Sequence, residues 1–163
     1  MNNNLNKRLF DATQSIINRL EAFECYTSDY LNSFPKEFTI GILSLSPISD
    51  KTLYSFFDVS NTLTNELSKI EDSVAVVASV MIESDKSAEN TDIILVCDAL
   101  MCVYDDVRKH INIFLQKSHV AIKANPKEHF ALYSSASEFI LKIRAVKAKT
   151  AEIAVSITDL PTV

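Results

Sequence analysis

Apolar residues return along this chain at steps of three and four. Between Asn4 and Asn32 the series is Leu5, Leu9, Ala12, Ile16, Leu20 and Phe23. A second series runs Leu63, Leu67, Ile70, Val74, Val77, Met81, and a third Ile93, Cys97, Leu100, Tyr104, Val107, Ile111, Phe114. The fourth is Leu132, Ala136, Phe139, Ile143, Val146, Thr150, Ile153, Ile157. Each series marks one face of a helix. In the last three the steps alternate between four and three, a heptad seam that favours shallow, left-handed helix packing. A helix of about 30 residues at 1.5 Å rise spans roughly 45 Å.

The breaks between the series carry helix-end chemistry. Pro35 stops the first helix, because the residue before a proline resists the α region. Ser49 or Asp50, just after Pro47, caps the second. The polar run "ESDKSAENTD" (83–92) separates the second from the third, which starts at Asn90 or Thr91 with Asp92 at its positive end. In "NPKE" (125–128), Asn125 suits an N-cap, Pro126 the first helical position and Glu128 the third, where a carboxylate reaches back to the cap. His129 then follows as a first-turn residue and needs no chemical partnership with Glu128. Residues 33–48 stand apart. Their "FTIGILSLSP" alternates like a strand, yet no partner strand is evident, and a lone strand is not stable. The pattern predicts an extended apolar connection lying across the bundle. The expected fold is all-α: one domain, 1–163, built as an elongated antiparallel bundle of about four long helices.

Composition strengthens that expectation. The 163 residues include a single glycine, Gly41, where average usage of about 7% would supply roughly eleven. Sheets and tight turns consume glycine and helices avoid it. No apolar run approaches the ~20 residues of a membrane span. The N-terminal "MNNNLNKRLF" has no apolar signal core. Cys25, Cys97 and Cys102 are odd in number and lack CxxC spacing. Reduced thiols and a cytoplasmic location are expected.

The net charge of −5 is unevenly placed. Residues 1–50 carry 4 basic and 6 acidic side chains, 51–106 carry 3 and 11, and 107–163 carry 9 and 4. Acidic helices lying against basic ones would account for this. The sharper reading gives the basic cluster Lys142, Arg144, Lys147 and Lys149 an anionic partner. Nucleic acid is not expected, because the +5 of the last segment is offset by −8 before it.

Candidate chemistry is sparse. Cys102, Asp106 and His110 share a helix face at i, i+4, i+8. Eight residues rise about 12 Å, so thiol and imidazole cannot meet, whereas a nucleophile and its base need contact near 3 Å. Asp106 and His110 fit a surface i,i+4 pair. His110, His119 and His129 lack metal-ligand spacing, and no ExxH of the di-metal bundles occurs. One glycine cannot build a phosphate loop. No catalytic, cofactor or metal residue is assigned, and a non-enzyme is expected.

The stretch "AIKANPKEHFALYSSASEF", within about Val120 to Ala154, resembles the phasins, which coat bacterial polyhydroxyalkanoate granules. Pro126, Glu128, Leu132 and Tyr133 match that family's step into a helix. The three cysteines and the apolar 33–48 connection have no counterpart in it. The resemblance implies a helix-rich, non-catalytic protein that binds a hydrophobic surface and self-associates. The residues themselves point first to an adaptor, chaperone or inhibitor acting on a protein partner through helix faces. Phe57, Met101, Leu115 and Tyr133, apolar but off the seams, are the candidate interaction surface. An enzyme with a site assembled from distant residues is the third possibility. Oligomeric state stays open, since such seams pack equally well within a chain or between chains.

Overall fold

A computed structural model describes residues 2–34, 48–86, 90–124 and 129–160. Four helices account for nearly all of them: α1 (Asn2–Asn32), α2 (Asp50–Ser84), α3 (Thr91–Ala124) and α4 (His129–Thr158). The expected strand-like stretch at 33–48 and the "NPKE" helix start lie almost wholly outside the described residues, as does the His129 side chain. Among the described residues there is no strand.

Helix ends form where the sequence supplies a partner for the exposed backbone groups. Ser49 is extended (φ −74°, ψ 152°), and its Oγ accepts from the Thr52 amide at 3.2 Å. That satisfies one donor the first turn would otherwise leave open. Asp50 and Asp92 place a negative charge in the first turns of α2 and α3. Asn90 is buried, and its amide donates to the Ser84 carbonyl at 3.3 Å, closing the short connection between α2 and α3 from within. The end of α1 tightens into i→i+3 bonds, Ser33 to Tyr30 and Phe34 to Leu31.

Ion pairs and hydrogen bonds report the helix order directly. Arg8 meets Glu83 and Arg19 meets Glu66, so α1 and α2 are antiparallel. Tyr104 Oη donates to Glu71 at 2.7 Å, joining α3 to α2. Lys117 pairs with Glu138, and eleven residues back along α3 Asp106 pairs with Lys149, eleven residues on along α4. Equal and opposite steps are what an antiparallel register requires. Glu24 holds both Arg144 and Lys147, joining α4 to α1. Each helix therefore flanks two others, and α1 lies diagonally across from α3. This is an up-down-up-down four-helix bundle.

The sequence seams form its core. Every residue of the α1 and α4 series is buried or packed against the core, as are Leu63, Ile70, Val74 and Val77 of α2 and Ile93, Cys97, Leu100, Val107, Ile111 and Phe114 of α3. Leu67, Met81 and Tyr104 pack against it from the rim. The valine-rich end of α2 is helix and not a buried strand. Buried threonines keep their hydroxyls satisfied locally: Thr13, Thr27 and Thr150 each donate to the carbonyl four residues earlier at 2.7 Å.

One end of the core is aromatic. Each helix sends one buried ring there: Tyr30, Phe56, Phe114 and Phe139. Phe114 and Phe139 stack at 5.0 Å, and Tyr30 lies 6.1 Å and 6.3 Å from Phe56 and Phe114. Phe34 and His119 add edge-on contacts to Tyr30 and Phe56. Such pairs add to simple area burial. The Tyr30 hydroxyl is buried there without a hydrogen-bond partner among the described residues, and burial pushes its pKa well up. A buried hydroxyl with no partner costs about 1–3 kcal/mol. Tyr30→Phe is therefore expected to stabilise the bundle, raising Tm by about 2–4 °C for a stabilisation of about 1 kcal/mol. A thermal melt of the variant checks this, and a lower Tm would mean that the hydroxyl has a partner.

Candidate functional site

The α3/α4 side of the bundle carries an open groove. It lies between residues one or two positions off the core seam on α3 (Lys109, Ile113, Val120) and on α4 (Phe130, Ser134, Lys142). Its apolar part, about 650 Å³, lies toward the aromatic end, against Val120, Ala121, Phe130 and Ala131. Val120 is 61% exposed and Phe130 43%. Its basic part, about 250 Å³, lies against Lys109, His110 and Lys142, with Phe114 and Phe139 as floor. The Lys117–Glu138 pair, at 2.8 Å, spans the groove between the two parts.

Charge is distributed unequally around it. The Lys117 ammonium holds the Glu138 carboxyl below its ordinary value. Burial pulls His110 below the usual histidine value. Lys142 and Lys109 act in the same direction, against Asp106 and Glu138. The lowered value favours the neutral form of His110, and among the described residues Lys109 and Lys142 are the groove cations without an ion pair.

The structure divides the residues singled out from sequence. Phe57 lies two heptads before Glu71, which bonds Tyr104, so it belongs to the α2/α3 seam, with its ring 5.7 Å from Phe56. Met101 and Leu115, two heptads apart on α3, fall on that same flank and are partly buried against the core. Tyr133 lies two heptads before Lys147, on the flank facing α1, and its ring meets Phe34 edge-on at 5.6 Å. The four do not share one face. The basic cluster also divides. Arg144 and Lys147 close on Glu24 at 2.6 Å and 2.9 Å, Lys149 on Asp106 at 3.7 Å, and Lys142 alone lines the groove. Acidic and basic helices do lie against each other.

Asp106 answers to two helices. Its carboxylate pairs with Lys149 of α4 at 3.7 Å, and its charge also acts on His110 of its own helix. Cys102 is exposed, His119 rests on Phe56, and neither approaches a reacting partner. Among the described residues no three His, Cys, Asp or Glu side chains gather to hold a metal ion. No described helix is long and apolar enough to cross a membrane.

Val120, Phe130 and Lys109 were not singled out from sequence. The signal existed, since Val120 and Phe130 are apolar and off-seam like Leu115. What the sequence lacked was the pairing of α3 with α4 that places them across one groove. Comparison with known proteins finds no matching family model, no matching curated protein and no matching solved structure.

On the α1/α2 side the buried carboxylate is engaged twice. Glu66, 5% exposed, receives Arg19 at 3.1 Å and Lys69 at 2.6 Å. Burial would raise its pKa, but the two hydrogen bonds prevail and hold it below 4.5. Glu24 is likewise held down by Lys147 and Arg144. A carboxyl whose pKa is lowered on folding stabilises the fold above its unfolded value and loses that contribution as pH falls through the folded one. Thermal stability is therefore expected to hold down to about pH 4.5 and to fall below it. Replacing both residues (Glu24→Gln, Glu66→Gln) should shrink the fall. Parallel pH curves for variant and wild type would contradict the assignment.

Proposed function

We propose that the protein is a non-catalytic helical interaction protein, an adaptor, chaperone or inhibitor, that receives a protein partner on its α3/α4 side. One observation carries this reading. The bundle has already buried its four seams in a closed core, yet it keeps an open apolar cleft of about 650 Å³ with Val120 and Phe130 facing solvent. Burying such surface contributes about 25 cal/mol per Å². Grooves between helices are a recurrent seat for partner segments.

A second reading, phasin-like coating of polyhydroxyalkanoate granules, draws on the outer face of α4, which overlaps the stretch that carries the resemblance. Leu141 and Val155 are exposed there, two heptads apart, with Ala148 midway between them. Amphipathic helices bind apolar interfaces through such faces. The closed core favours the first reading, because adsorption by unfolding onto a surface would have to give up packing already made.

Quantitative affinity capture from the source cells, with wild type against the double variant Val120→Ser/Phe130→Ser, separates the two. The first reading expects a specific protein retained by wild type and lost by the variant, with circular dichroism melts unchanged. Equal capture by both proteins, together with selective pelleting of wild type on amorphous granules, would replace it with the second.

A further inference from the structure

We propose that the α3/α4 groove seats one amphipathic helix of an acidic protein segment, its apolar face on Val120 and Phe130 and its carboxylates on Lys109 and Lys142. The inference rests on the binding reading above and names the partner's chemistry.

Three observations define the occupant. The first is length: from Lys109 to Ala121 the groove follows α3 for twelve residues, about 18 Å of rise, which matches three to four turns of a docked helix. The second is openness. The cleft lies along the outside of two antiparallel helices and does not enclose its contents, whereas small-molecule sites bury most of their ligand. A fifth helix laid into the seam would cover Val120 and Phe130 and meet both walls.

The third is charge. Arg144, Lys147, Lys149 and Lys117 are all engaged by carboxylates of this chain. Among the described residues Lys109 and Lys142 carry no ion pair, although the chain as a whole is acidic at −5. Glu138 makes its hydrogen bond with Lys117 and acts on Lys142 only through space. Two free ammonium groups at one end of an apolar groove select an acidic flank and repel a basic one. A second copy of this chain fits poorly, because a two-fold contact through the groove would set Lys109 and Lys142 against the neighbour's lysines or its apolar end, and the one carboxylate there, Glu138, is already engaged by Lys117.

The test uses two probe peptides of about 18 residues, long enough to hold a helix. Both carry leucines at i, i+3, i+4 and i+7, one with flanking glutamates and the other with flanking lysines. Binding to the full chain is read by fluorescence anisotropy. The glutamate probe is expected to bind at least about tenfold more tightly than its lysine twin. That preference should shrink as salt screens the exposed charges. Lys109→Glu/Lys142→Glu should reverse the preference, and both positions are exposed, so the fold persists. Equal binding of both probes, weakened by Val120→Ser/Phe130→Ser, would overturn the charge selection and leave the groove as a helix site. Binding of a long-chain carboxylate while neither peptide binds would overturn the helix occupant. If neither peptide nor carboxylate binds, the inference fails. The affinity capture then decides the wider reading on its own.

Discussion

Four apolar stripes, each about 45 Å long at 1.5 Å per residue, must all leave water, and the rest of the structure follows from that need. A helix with one apolar stripe cannot stand alone in water, since most helical stability comes from packing that face. Four such helices cover one another when each flanks two neighbours around a shared core, as they do here. The 3.5-residue repeat keeps a stripe facing inward along the full helix. It therefore also fixes which residues become flanks. Glu24, Glu71, Asp106 and Glu138 meet their partners because each sits one residue from a buried position.

The uneven charge of the sequence becomes local pairing in the bundle. Cations of α4 are drawn to acids of α1 and α3, and Arg8 and Arg19 of α1 to acids of α2. Exposed pairs of this kind contribute little individually, about 0–1 kcal/mol each. Their larger effect is on register and partner choice, since a shifted or parallel arrangement would bring like charges together. Glu66 differs, being buried and held by two cations, so breaking its contacts would strand a charge inside the α1/α2 interface.

Periodicity made the helices, their seams and the Ser49 cap legible before any coordinates, because each depends on residues close in sequence. The glycine shortage pointed the same way. The α3/α4 groove was less legible. Its walls come from residues about ten to thirty apart, and nothing within either helix tells which flank its neighbour will cover. For the same reason Phe57 and Tyr133 could not be assigned to opposite seams, and the further partner of Asp106 on α4, Lys149, could not be read from its own helix. Lys142 looked like one of four equivalent cations, and only the position of Glu24 and Asp106 sets it apart.

What remains exposed after the core closes gives the account its functional content. Val120 and Leu95 lie on the same helix and are equally exposed, both at 61%, yet only Val120 borders the groove. That pair allows a direct test of the claim that the groove, and not apolar exposure in general, is the interacting surface. A photo-crosslinking amino acid placed at either position in the source cells would report what lies against it. The account predicts a discrete protein adduct from position 120 and none of comparable yield from position 95. Equal labelling at both positions, or an adduct at 95 alone, would contradict it.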